Sequence, residues 1–131
     1  MRRRFWKRLL LAAVAAAVWI QSDRPSIIRK PLFPFQDKVF HVIEFAVVGL
    51  ALSTNRDLFG GRHRWIVMTA AGMAWAGLDE AHQSWVPGRD CSALDFAADA
   101  LGLCLVLLAA RRRFERRVLA DTPYKEYDYN P

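Results

Sequence analysis

The sequence predicts an all-α, polytopic membrane helix bundle of four transmembrane helices with both termini in the cytoplasm. Three observations carry that prediction. The apolar residues fall into four runs divided by helix-ending connectors. The 19 Lys and Arg residues divide 14 to 5 between the two faces such a chain defines, and the other ionisable residues of three runs meet at one depth. Averages conceal this pattern: 131 residues, 53% hydrophobic and 24% charged, give a mean hydropathy of only +0.05. One domain is expected at this length, and no Gly-rich phosphate loop or dinucleotide fingerprint is present. Cys91 and Cys104 do not make a disulfide framework; 13 residues apart, they stand about 20 Å from each other on a helix.

The first run, Leu9 to Ile20, follows a basic start of Arg2, Arg3, Arg4, Lys7 and Arg8. Its 12 residues fall short of the roughly 20 that a span needs, but Phe5 and Trp6 extend it if Lys7 and Arg8 snorkel. The same start, with small residues at Ala15 and Ala17, also fits a cleavable signal peptide. A twin-arginine export signal is set aside, because that route serves folded soluble cargo and more membrane sequence follows. The second run goes from Val39 to Ser53, the third from Trp65 to Leu78 with a polar continuation to Trp85, and the fourth from Leu94 to Ala110. Pro25, Pro31 and Pro34, then Asn55 and Gly60-Gly61, then Pro87-Gly88 end the helices between them. A soluble four-helix bundle would need a polar stripe on every helix, and Trp65 to Leu78 and Leu101 to Ala110 have none. Residues 1–110 are therefore read as the transmembrane domain, with residues 111–131 as a basic juxtamembrane helix end and a disordered tail.

Placing the N-terminus inside puts the basic start, Arg56, Arg62, Arg64, Arg111, Arg112, Arg113, Arg116, Arg117 and Lys125 in the cytoplasm. Arg24, Arg29, Lys30, Lys38 and Arg89 remain outside. All three inner segments then obey the positive-inside rule. The net charge of +6 reads as topology and attraction to anionic lipid, and a nucleic-acid partner is excluded. His63 lies in the basic inner loop and is read as solvated.

In this orientation the polar residues of three helices converge on the outer leaflet. Asp37, Lys38, His41 and Glu44 enter the second helix from outside, with Asp37, His41 and Glu44 on one face. Asp79, Glu80, His82 and Gln83 leave the third, Arg89 follows in the loop, and Asp95 and Asp99 enter the fourth beside Ala98 and Gly102, whose small size permits close helix approach. A charge costs about 2.5–3.5 kcal/mol at a helix centre, so these groups are expected to face one another or a wet pocket. Six carboxylates there meet two fixed cations, Lys38 and Arg89, which calls for protonation or for an added cation.

The stretches Asp37-Lys38-x-x-His41, Asp79-Glu80-x-His82-Gln83-x-x-Val86-Pro87-Gly88-Arg89 and Ser92-x-x-Asp95 with Gly102 resemble the VanZ family of small bacterial membrane proteins, named for a teicoplanin-resistance accessory protein. The likeness covers residues 37–103, about half the chain. One departure is Asp99, where the family pattern has Asn, which adds a negative charge. The resemblance implies a multi-pass protein of the bacterial cytoplasmic membrane and a role in the cell envelope, including antibiotic resistance. It supplies no reaction.

Several functions fit these residues. One is a binding site for an anionic amphiphile at the outer leaflet: a lipid head group, a lipid-linked wall precursor or a glycopeptide antibiotic. Arg89 and Lys38 would anchor it, with Asp37, Gln83, Asp95 and Asp99 as polar lining. A second is a hydrolase or transferase, with His41 or Glu44 as general base, Asp79 or Glu80 as its partner and Arg89 on the developing anion. No Ser or Cys nucleophile stands out. A divalent cation held by His41, Glu44, Asp79, Glu80 and Asp95 would relieve the negative excess, although no HExxH pattern is present. A purely structural polar cluster gluing helices, with Lys38 on Asp37 and Arg89 back on Asp95, is the remaining reading. Ion conduction is disfavoured because the inner halves of the helices carry no ionisable residue.

Overall fold

A computed structural model describes residues 1–25 and 31–121 of the protein. These residues form four α-helices and no strand: α1 (Arg2–Ser22), α2 (Gln36–Thr54), α3 (Arg64–Gln83) and α4 (Ala93–Asp121), with one 3-10 turn, Arg56–Leu58, after α2. Every helix outruns the apolar run that announced it. Arg, Lys, Gln, Glu and Ala are good helix formers, so the flanks continue the helix until a terminator stops it. Thus α1 takes in the basic start and reaches 21 residues, about 31 Å. The boundary expected at residue 110 is no break: α4 runs for 29 residues through the basic segment, where Arg111 Nε donates to Glu115 Oε1 at 2.7 Å. The tail read as disordered lies, beyond Asp121, outside the described residues, as do Arg29, Lys30 and Lys125 of the charge split.

Two helices, α1 and α4, are long and apolar enough to cross a membrane. With 19 and 20 residues, α2 and α3 have a comparable length, but each carries a cluster of ionisable residues at one end.

The chain runs up and down. Asn55 Nδ2, just past α2, donates to the carbonyl of Lys7 at 3.0 Å, and Lys7 Nζ donates to that of Thr54 at 3.1 Å, so the start of α1 meets the end of α2. At the opposite end the last turns of α1 and α3 meet the first turns of α2 and α4. Residues 1 and 121 therefore share one end of the bundle, and the polar residues share the other. The most extensive contact joins α2 and α4, which run parallel. Glycine permits it: a Cβ on Gly102 would sit 2.0 Å from the carbonyl oxygen of Val42, and one on Gly49 3.1 Å from that of Leu103. Phe45, Val48, Leu52, Met68, Leu103 and Leu107 fill the space between helices, and Val18 joins them from α1.

Apolar residues cover the surface as well as filling the core, while carboxylates are buried. Ile43, Val47 and Leu50 of α2, Ile66 and Leu78 of α3 and Leu101 and Leu105 of α4 lie on the surface, while Asp79 and Asp99 are 1% and 0% exposed. Charged residues are almost never fully buried in soluble proteins unless paired, and scattered surface leucines do not amount to an apolar belt on every helix.

Candidate functional site

The parallel register of α2 and α4, set where Gly102 meets Val42, brings His41 beside two carboxylates one turn apart on α4. His41 Nδ1 lies 2.9 Å from Asp99 Oδ1, and Nε2 lies 3.7 Å from Asp95 Oδ1. From α3, Glu80 Oε1 approaches His41 Nδ1 at 4.0 Å. Lys38, nearly one turn before His41, places its ammonium on the same oxygen of Asp95 and bonds Asp37 Oδ2 at 2.8 Å. Glu80 Oε2 accepts the backbone N–H of Ser92 at 2.9 Å, tying the end of α3 to the entry of α4. Ser92 Oγ in turn accepts the N–H of Asp95 at 3.3 Å, an N-cap that gives the Ser92-x-x-Asp95 spacing a physical reason.

A second group lies against α1. Gln83 Nε2 donates to Asp79 Oδ2 at 2.9 Å and to Ser22 Oγ at 3.4 Å. Arg89 Nη1 reaches the carbonyl of Ser22 at 3.5 Å, and Gln21 Nε2 donates to Glu44 Oε2 at 3.4 Å. His82 faces elsewhere: its ring stacks on Trp19, with centroids 4.1 Å apart, and its Nε2 is 3.4 Å from Asp23 Oδ1. Between α1, α2 and the end of α3 is a cavity of about 690 Å³. Ala17, Ile20 and Phe40 form its apolar wall, and His41, Glu44, Gln83, Arg24 and Arg89 its polar one.

All ten residues singled out in the sequence sit at this end of the bundle, but several pairings differ from expectation. Arg89 does not fold back on Asp95; that carboxylate is taken by Lys38, while Arg89 extends toward α1. The partner of His41 is Asp99, with Glu80 and Asp95 nearby; Asp79 bonds Gln83 instead. The donors that can share one cation are those of His41, Glu80 and Asp95, which lie within 4.8 Å of one another. Glu44 and Asp79, expected among the ligands, are engaged by Gln21 and Gln83. Sequence reasoning missed the end of α1. Gln21, Ser22 and Arg24 line the cavity, and their signal was the polar stretch Gln21-Ser22-Asp23-Arg24 at the depth where the other polar residues gather.

Several buried acceptors have no hydrogen-bond donor among the described residues: Asp79 Oδ1, Glu80 Oε1 and Asp99 Oδ2. Both cysteines are free, and Cys91 is exposed. Comparisons of the chain with protein-family models, with curated proteins and with solved structures find no match.

Proposed function

We propose that the chain is a four-span protein of the bacterial cytoplasmic membrane, with both ends inside, that binds an anionic amphiphile at the outer leaflet. The observation that carries this reading is the cavity, which joins an apolar wall to two guanidinium groups. Ile20 and Phe40 are exposed, so the wall continues onto the bundle's apolar surface, where an acyl chain would lie. Among the described residues the Arg89 guanidinium makes one long bond, to the Ser22 carbonyl, and a guanidinium has five N–H donors, which leaves most of its fork for a phosphate or carboxylate. Arg24 supplies a second positive charge at the same mouth.

Membrane embedding of all four helices is supported by the apolar exterior around buried carboxylates and by the 14 to 5 charge split. Retention of α1 is supported by its contacts: Val18 is buried, and Ser22 and Lys7 bond to other helices. The likeness to VanZ motifs points to the same compartment. Candidate ligands share one chemistry, an anionic head on an apolar tail, and include lipids, lipid-linked wall precursors and glycopeptides. A second reading, acid–base chemistry on such a molecule, is favoured by the His41–Asp99 pair, because an imidazole oriented by a carboxylate lines the cavity.

The test is mass spectrometry of lipids retained by the protein purified in mild detergent. Wild-type protein is expected to retain anionic lipid selectively. A charge-assisted bond is worth about 1.5–3 kcal/mol, so Arg89→Ala should lower retention by about 10- to 100-fold, and Arg89→Lys should fall between. No preference for anionic over zwitterionic lipid, or an unchanged profile in folded Arg89→Ala protein, overturns the reading. Conversion of the retained molecule by wild type but not by His41→Gln would favour the catalytic reading.

A further inference from the structure

We infer that His41, Glu80 and Asp95 form a binding site for one divalent cation of the zinc or manganese kind. This site goes beyond the amphiphile pocket: two of its three ligands are outside the cavity lining, and only His41 belongs to both.

The first support is geometric. One donor atom from each residue lies within 4.8 Å of the others. Three donors at about 2.0–2.2 Å from a shared cation stand roughly 3–3.8 Å apart, so about an ångström of side-chain movement closes the site. His41 is already set as a ligand. Its Nδ1 is engaged by Asp99 at 2.9 Å, and donation there leaves the lone pair on Nε2, which faces Asp95 Oδ1 at 3.7 Å, while Glu80 Oε1 stands 4.0 Å from Nδ1 and has to swing to Nε2. A carboxylate behind a histidine is the arrangement that orients metal-ligating imidazoles.

The second support is the state of the carboxylates. Glu80 and Asp95 are 3% and 8% exposed; Glu80 Oε1 accepts no hydrogen bond among the described residues, and Asp95 Oδ1 is met by the Lys38 ammonium. Glu80 is not free to turn away, because its other oxygen is held by the Ser92 amide at 2.9 Å. Buried acceptors are nearly always paired, and an anionic one without a donor is costly. Three buried carboxylates, Glu80, Asp95 and Asp99, surround His41, and among the described residues the fixed cation paired with one of them is Lys38. Its ammonium competes for Asp95, yet the exposed Asp37 already holds it at 2.8 Å, so an arriving dication need only shift Lys38 onto Asp37.

One imidazole with two carboxylates suits zinc or manganese better than calcium or magnesium, which prefer all-oxygen shells. Three protein ligands leave coordination positions open for water or a further ligand.

The test uses the full chain in detergent, stripped with chelator and titrated calorimetrically with Zn²⁺ and with Mn²⁺ alone. One equivalent is expected to bind. Glu80→Gln should weaken it at least tenfold, and Glu115→Gln, at the far end of α4, should leave it unchanged. Where Glu80→Gln fails to fold, Co²⁺ decides: wild-type protein should give the intense visible bands of a low-symmetry site, and His41→Cys should add a thiolate charge-transfer band. No stoichiometric binding by wild type, unchanged affinity in folded Glu80→Gln, or a Co²⁺ spectrum that His41→Cys does not alter would overturn the assignment. Each outcome is read without lipid analysis, so it stands or falls apart from the amphiphile reading.

Discussion

Replacing Gly102 by alanine is the smallest change that should open the polar site without altering any residue in it. The new Cβ would lie 2.0 Å from the carbonyl oxygen of Val42, 2.9 Å from its carbon and 3.0 Å from the nitrogen of Ala46. These are backbone atoms of a helix, so no side chain can rotate aside. Ordinary contact begins at 3.4 Å, and the two helices must therefore part by about 1.4 Å. Val42 is adjacent to His41, and Asp99 lies on the same stripe of α4 as Gly102, so the shift carries the His41–Asp99 pair apart as well. Its 2.9 Å separation would become about 4.3 Å, too long for a hydrogen bond. Overpacking costs about 1–3 kcal/mol and a lost bond to a charged group about 1.5–3, which together predict a destabilisation of about 2.5–6 kcal/mol. Gly77→Ala is the control, since its Cβ would meet only Phe96 Cε2, at an ordinary 3.9 Å, and helix propensity would favour alanine by up to about 1 kcal/mol. The assay is unfolding by sodium dodecyl sulfate in mixed micelles, followed by circular dichroism. A Gly102→Ala protein that unfolds with the wild type, or no earlier than Gly77→Ala, would refute the claim that backbone contact at Gly102 sets the register of the site.

At the other end of the bundle, Asn55→Ala removes the bonds from Nδ2 to the carbonyls of Lys7 at 3.0 Å and Ala51 at 2.9 Å, in a side chain 1% exposed. A loss of about 1–3 kcal/mol is expected, with faster hydrogen exchange in α1; unchanged exchange there would mean that this clamp does not hold α1. The orientation is tested with thiol labelling in intact cells, on a Cys104→Ala background. Exposed Cys91 should react with an impermeant maleimide, while a cysteine introduced by Glu115→Cys should react only after lysis, and the reverse pattern would invert the topology.

Helix positions and the common depth of the polar groups were legible because both depend on periodicity. His41 and Glu44, like Asp95 and Asp99, repeat at three- and four-residue intervals, and this fixes a face whatever the partner. Gly102 was legible for the same reason, as a small residue on the stripe bearing Asp95 and Asp99. Helix ends were less so: an apolar run marks where the environment changes, while the backbone continues through Arg2–Arg8 and Arg111–Arg117 until a terminator appears. Pairing was least legible of all. Arg89 follows a turn in which Gly88 has a φ of +79°, and that turn sends the guanidinium to α1 and leaves Asp95 to Lys38. Composition and spacing do not encode the direction of such a turn. Gln21 and Ser22 lie just past the apolar run that ends at Ile20, and only the antiparallel packing of α1 on α2 reveals that this end meets Glu44 and, across on α3, Gln83.

The association of the helices has a sufficient cause away from the charges. Backbone contact at Gly102 and Gly49 joins α2 to α4, Leu103 packs into the space left by Gly72, Val18 docks α1 into the core, and Asn55 clamps its first turns. None of these contacts requires an ionised group. Burying carboxylates beside them adds cost without adding adhesion: a helix-joining hydrogen bond between neutral groups in a membrane is worth only about 0.6–2 kcal/mol, and a charge at depth costs more than that. A polar cluster kept only as glue would be satisfied internally, as Asp79 with Gln83 partly is. Glu80 instead holds out an oxygen with no hydrogen-bond donor among the described residues, 4.0 Å from Nδ1 of an imidazole that Asp99 already engages. That residue of unmet bonding, and not the number of charges, is the physical reason to place a ligand at this end of the bundle. Because His41 belongs both to the cavity wall and to the cation group, occupancy of either should be felt by the other through one ring.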